Sequence, residues 1–138
     1  MNIMKIGVLI LFLGVSLSPA GCREARHPLL SASASSDHLK VNSDGTASAT
    51  GTVLENNNGC ARDVACYLQV QVGESEIRVI YHPGEGEKRV NNTEAWERAS
   101  KVKKGAHVEV YGKHEKQGAL DVIEIYSSDK FYIHVLAD

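Results

Sequence analysis

Asn92-Thr93-Glu94-Ala95-Trp96-Glu97-Arg98-Ala99-Ser100-Lys101-Val102-Lys103-Lys104-Gly105 is the one helical stretch in a chain that otherwise reads as short strands. Asn92 or Thr93 supplies an N-cap oxygen for the first backbone amides. Glu94 and Glu97 fall in the first turns, Lys101, Lys103 and Lys104 in the last, and Gly105 just beyond, so both ends complement the helix dipole. Ala95, Trp96, Ala99 and Val102 make the apolar stripe, and Trp96, the bulkiest of them, is expected to plug the core. Three strands precede this helix. Residues 47–55 form the first, with Gly51 inside it, where a glycine marks a bulge or sharp bend. Asn56-Asn57-Asn58-Gly59 is a turn cluster. Residues 66–72 alternate, with Leu68, Val70 and Val72 on one face and Tyr67, Gln69 and Gln71 on the other. After Gly73-Glu74-Ser75 turns the chain, residues 77–81 form a third strand and 82–89 a Pro/Gly-rich loop. Beyond the helix lie strands at 107–113, with Val108 and Val110 inward, and at 120–126, then a short closing strand at 131–136.

Three strands, a loop, one helix and two or three further strands follow the order of the OB-fold, a five-stranded Greek-key barrel with a helix between strands three and four. Gly51 sits where such barrels bend their long first strand. Gly105-Ala106-His107-Val108-Glu109-Val110-Tyr111-Gly112 resembles the approach to strand four in OB domains. Gly51-Thr52-Val53 ahead of a Cys-containing turn, and the closing Tyr126-Ser127-Ser128-Asp129-Lys130-Phe131-Tyr132-Ile133, resemble a family of uncharacterised exported bacterial OB-fold domains. The resemblance runs from about Thr46 to Leu136. It implies a mostly β protein: a small five-stranded OB-fold-like Greek-key barrel with one capping helix. An SH3-like barrel and a small α+β domain are the rival architectures.

The N-terminus places the protein. Lys5 precedes an apolar run, Ile6 to Val15, of roughly ten residues, and small residues follow, which is the layout of a secretory signal. A membrane-spanning helix needs about 20 apolar residues. The end of the leader resembles the lipobox of bacterial lipoproteins, where a small-small-Cys triplet ends the signal and the Cys is lipidated; here it reads Ala20-Gly21-Cys22. Pro19 stands where that family has Leu or a similar residue, and Ser18-Pro19-Ala20 fits ordinary secretory cleavage, so both outcomes stay open. Lipidation of Cys22 implies a lipid membrane as partner, at roughly 0.8 kcal/mol per buried methylene.

Of the three cysteines, Cys60 and Cys66 remain, six positions apart. In an oxidising compartment the simplest reading is a disulfide closing a small loop. Zinc would need a second ligand pair, and none with matching spacing occurs.

Three regions follow: a signal peptide at 1–21, a flexible tether at 22–45 and the barrel domain at 46–138. Ser31-Ala32-Ser33-Ala34-Ser35-Ser36 is small and polar and cannot bury enough surface to fold. Such a tether spans roughly 25 Å root mean square. The alternative is an N-terminal strand at about 39–42 that packs on the domain. The full chain carries 15 basic and 17 acidic residues, and only Lys5 lies in the leader, which leaves 14 against 17 and a balance of −3. Proteins that wrap nucleic acid are usually strongly basic.

OB domains bind on the face of strands two and three, so Tyr67, Gln69, Gln71, Arg78 and Tyr81 are the candidate binding face. Tyr67 and Tyr81 beside Arg78 could stack bases, but Glu74, Glu76 and the acidic balance oppose nucleic acid. Catalysis finds no G-x-S-x-G elbow and no complete phosphate loop. Arg62, Asp63, Arg78 and Arg89 are too scattered to suggest a nuclease-like hydrolase. The His residues show no H-E-x-x-H spacing. No catalytic, cofactor or metal site is assigned. The sequence therefore reads as an exported, membrane-tethered, non-enzymatic binding module of the bacterial cell envelope, its partner an envelope protein, a glycan or a small solute. A single-stranded nucleic-acid-binding OB domain and a small hydrolase are the alternatives.

Overall fold

Apolar alternation along the central strands builds a closed barrel. The computed structural model describes residues 37–137, apart from 62–63 and 87–88. The leader, Cys22 and the first part of the expected tether lie outside the described residues. In chain order the elements are β1 His38–Val41, β2 Thr46–Asn57, β3 Cys66–Val72, β4 Ser75–His82, α1 Thr93–Ser100, β5 His107–Gln117, β6 Leu120–Glu124 and β7 Tyr132–Val135. Five strands close on themselves in the order β2-β3-β4-β6-β5, with β5 returning to β2. The β4–β6 pair is parallel and the other four are antiparallel. This is the OB-like arrangement expected from the element order.

β2 serves two neighbours. Residues 46–52 pair with β5 and 52–57 with β3. The changeover falls at Thr52, and at Gly51 just before it a Cβ would collide with the Gln71 carbonyl oxygen and come within 3.0 Å of Val70 Cγ1. A register shift between Val53 and Glu55 adds a bulge just beyond. Gly112 plays the matching part on β5, with Ile123 Cγ2 only 2.8 Å from the site of a Cβ.

The last part of the segment read as a tether is structured. His38–Val41 is a strand, antiparallel to β2 from Ala47 to Thr50, so residues 38–41 belong to the sheet, close to the alternative reading of that segment. Leu39 supplies the reason, since it is partly buried against the core.

The helix is correctly placed but its packing residue is not Trp96. Ala95 and Ala99 are buried, whereas Trp96 is 36% exposed and leans on the His82 ring at 5.0 Å between centroids. Residues four apart share a helix face, and position 96 lies about 100° round from it. The two alanines let α1 sit close against the barrel end. Tyr81 does the filling there, as the largest fully buried side chain. Its hydroxyl donates to Asn56 Oδ1 at 2.8 Å, and Asn56 Nδ2 donates to the carbonyls of Ala99 and Val102 at 3.0 and 2.8 Å. The helix stops at Ser100, so Lys103 and Lys104 lie beyond its last turn.

Cys66 opens β3, and its sulfur lies at disulfide distance from that of Cys60, with Cα atoms 4.9 Å apart, within the usual span of a bridge. Thiol labelling of the native chain without reductant should leave both residues unmodified. Cys60→Ser should cost about 2 kcal/mol, read from chemical denaturation, since the closed loop is short. Rapid labelling of either residue would contradict the bridge.

Candidate functional site

Strand parity decides which side chains face outward. On β3, Leu68, Val70 and Val72 point into the barrel, so Tyr67, Gln69 and Gln71 lie on its outer surface, half-buried. On β4, Ile77, Val79 and Tyr81 point inward, so Arg78, Ile80 and His82 face out. The register sets Gln69 opposite Arg78, Tyr67 opposite Ile80 and Gln71 opposite Glu76. Four of the five expected face residues, Tyr67, Gln69, Gln71 and Arg78, therefore share one surface.

Tyr81 does not join them. It is odd-numbered in a strand whose odd residues fill the core, and it is completely buried. Burial pushes its hydroxyl pKa up to about 12, so it stays a neutral hydrogen-bond donor to Asn56. Ile80 takes the place expected for Tyr81. The pattern of 77–81 held this signal, because apolar residues at 77 and 79 already fix which parity is inside.

Arg78 dominates the surface. Its guanidinium carbon lies 4.4 Å from the Tyr67 ring centroid, a cation–π stack. Its Nε is buried and has no hydrogen-bond acceptor. No ion pair among the described residues involves Arg78. Val122 of the parallel neighbour β6 lies beside it in register and is fully buried. The pairing of β4 with β6, which joins distant parts of the chain, is what brings Val122 here; nothing local in the sequence announces it. The amides are more committed. Gln69 Nε2 donates to Glu76 Oε2 at 2.5 Å, and Gln71 Nε2 donates to the carbonyls of Gly73 and Ser75 at 2.8 and 3.1 Å. The outer face thus offers one unneutralised cation on an aromatic ring, flanked by apolar side chains and two tied amides.

The titratable groups elsewhere are dispersed. At the barrel end away from α1, His114 Nε2 lies 2.7 Å from Asp121 Oδ1, and Lys116 Nζ donates to Asp121 Oδ2 at 2.8 Å. Burial works to raise the Asp121 carboxyl, but the bonds with Lys116 and His114 outweigh it and hold its pKa below the ordinary value. His107 meets Asp37 and Thr52, His82 meets Trp96, and His134 meets Tyr132. Among the described residues, no group of three or more His, Cys, Asp and Glu side chains converges as a metal site would require. Arg62 and Asp63 lie outside the described residues.

No family model and no curated protein matches the chain. Its OB-like character is carried by strand order and barrel closure.

Proposed function

We propose that the chain is an exported binding module, held at the bacterial cell envelope by lipid on Cys22, whose β3–β4 outer face takes a ligand around Tyr67 and Arg78. The observation that carries the reading is Arg78 itself. A guanidinium laid on an aromatic ring, with no carboxylate partner among the described residues, keeps its terminal N–H donors for an incoming acceptor. The OB-like barrel supports it, because domains of this architecture bind with the corresponding strands. The cysteine pair supports export, since such bridges persist in oxidising compartments. The leader and the Ala20-Gly21-Cys22 triplet supply the address and the anchor.

The test has two parts, both on the full chain expressed in a bacterial envelope. Mass spectrometry should find a diacylglycerol-modified Cys22 as the mature N-terminus; cleavage at another residue would remove the anchor. A photoreactive residue at Gln69 should give a discrete envelope adduct, and Arg78→Ala should weaken its formation by about tenfold, the scale of one lost anchoring contact. The stack on Tyr67 is worth only about 0.5–1 kcal/mol at a half-exposed site, so the variant keeps its fold. An adduct indifferent to Arg78→Ala would reject this face. Salt-dependent binding of an oligonucleotide pool at the same residue would replace the reading with nucleic-acid recognition.

A further inference from the structure

A second surface, on the far side of α1, goes beyond that reading. β5 and β7 pair antiparallel, with Tyr111 opposite Tyr132 and Glu109 opposite His134. This register lines up a row of rings. Phe131 meets Tyr111 edge-on at 5.7 Å between centroids, Tyr111 lies 5.7 Å from Tyr132, and Tyr132 lies 4.6 Å from His134. Tyr132 is fixed at its far end, where its hydroxyl donates to Glu109 Oε1 at 3.2 Å. None of these rings is buried in the core.

Between this row and α1 runs a hollow of about 220 Å³. Phe131, Tyr132 and His134 line one side, and Glu94 and Arg98 of the helix line the other, with Asp129 and Lys130 also bordering it. Glu94 and Arg98 form an ion pair on successive turns, and Arg98 Nη1 reaches to 3.3 Å from His134 Nδ1 across the hollow. Toward the end of α1 lies a second hollow of about 350 Å³ that shares Arg98, Ile133 and His134 with the first.

The chemistry of the walls selects a ligand class. One wall is aromatic. The helix wall holds the Glu94–Arg98 pair, and Asp129 and Lys130 border the hollow beside Phe131, so two carboxylates and two cations form a balanced set that both accepts and donates hydrogen bonds. A sugar ring has a C–H face, which is attracted to the electron-rich faces and apolar bodies of aromatic rings, and a rim of hydroxyls that each donate and accept. A phosphate chain would meet Glu94 and Asp129 as well as Arg98 and Lys130, and so would find no net charge to hold it. The first hollow is smaller than the roughly 300–1,000 Å³ of drug-sized clefts, which suits a single ring, and the neighbouring hollow offers room for a second unit. We infer that the groove between α1 and β7 binds an uncharged glycan, with one sugar unit held between the Phe131–Tyr132–His134 wall and the Glu94–Arg98 pair.

Saturation-transfer NMR on the full chain in a sugar-free zwitterionic detergent tests this with maltotriose, cellotriose and triacetylchitotriose at millimolar concentration. At least one should receive saturation at its ring C–H protons. Arg98→Ala and Tyr132→Ala should each weaken that binding by about tenfold, while Arg78→Ala on the other face leaves it unchanged. Arg98 is about half exposed, so its replacement keeps the fold and decides the matter should Tyr132→Ala misfold. No transfer to any of the three sugars overturns the proposal. So does binding that survives Arg98→Ala, and so does displacement of the sugar by oligo-deoxythymidine or by an acidic peptide. Binding lost only in Arg78→Ala would move the sugar to the β3–β4 face, overturning this inference while leaving the proposed function standing.

Discussion

Gly51→Ala should destabilise the domain by about 3 kcal/mol or more, seen as a lower denaturation midpoint with an unchanged slope. Forcing a side chain into a packed interior usually costs about 1–3 kcal/mol. Here the obstacle is backbone, which cannot swing aside as a side chain tip would. The added methyl would collide with the Gln71 carbonyl oxygen and crowd the carbonyl carbon at 3.0 Å. Relief means separating β2 from β3 where β2 passes between its two partners. Gly86→Ala is the control: among the described residues no atom lies within 4 Å of the added methyl, and the variant should stay within about 0.5 kcal/mol of the parent. Equal midpoints for the two variants would mean that β2 does not press against β3 at this point.

Asn92→Ala should cost about 4 kcal/mol, and Asn92→Asp nearly as much. Asn92 is almost fully buried. Its Oδ1 accepts from the Ala95 amide at 3.0 Å, which is the N-cap expected from sequence. Its Nδ2 also donates to the carbonyls of Ile125, Ser128 and Phe131 at 3.1, 2.8 and 2.7 Å. One side chain thus ties the start of α1 to the segment that runs from β6 to β7. Removing it strands buried acceptors at about 1–3 kcal/mol apiece, softened by whatever water enters. The Asp variant separates the two roles. Aspartate caps helices as well as asparagine does, yet it would turn a carboxylate toward three carbonyl oxygens. If Asn92 were only a cap, Asn92→Asp would be silent in a thermal melt.

Asn92 also shows what a sequence can and cannot display. The cap was legible because it is local: a short polar residue, then a helical pattern. The three carbonyls were not, because they lie more than thirty residues downstream. The strand order was legible for the same local reason, since alternation at 66–72 and the glycines around each turn need no distant partner. Trp96 and Tyr81 depart from expectation in opposite directions, the first exposed and the second buried. Bulk argued for Trp96 inside, but the spacing of Ala95 and Ala99 fixes the buried face. The strand two–three face is expected to carry Tyr81 beside Arg78, but the parity of Ile77 and Val79 places it inside. The ring row beside α1 stayed hidden because Tyr111 and Tyr132 become neighbours only through the β5–β7 register.

The closing seam joins residues 46–52 to residues 107–113. Hairpins such as β3–β4 and β5–β6 can form early from nearby residues, but this seam waits for a far larger loop to be drawn in, the slow kind of step in β topologies. During synthesis, the first half of β2 has no β5 partner until about two thirds of the remaining chain has followed it out of the ribosome. The nascent protein therefore carries an unsatisfied strand margin while about sixty further residues, nearly half of the chain, are added.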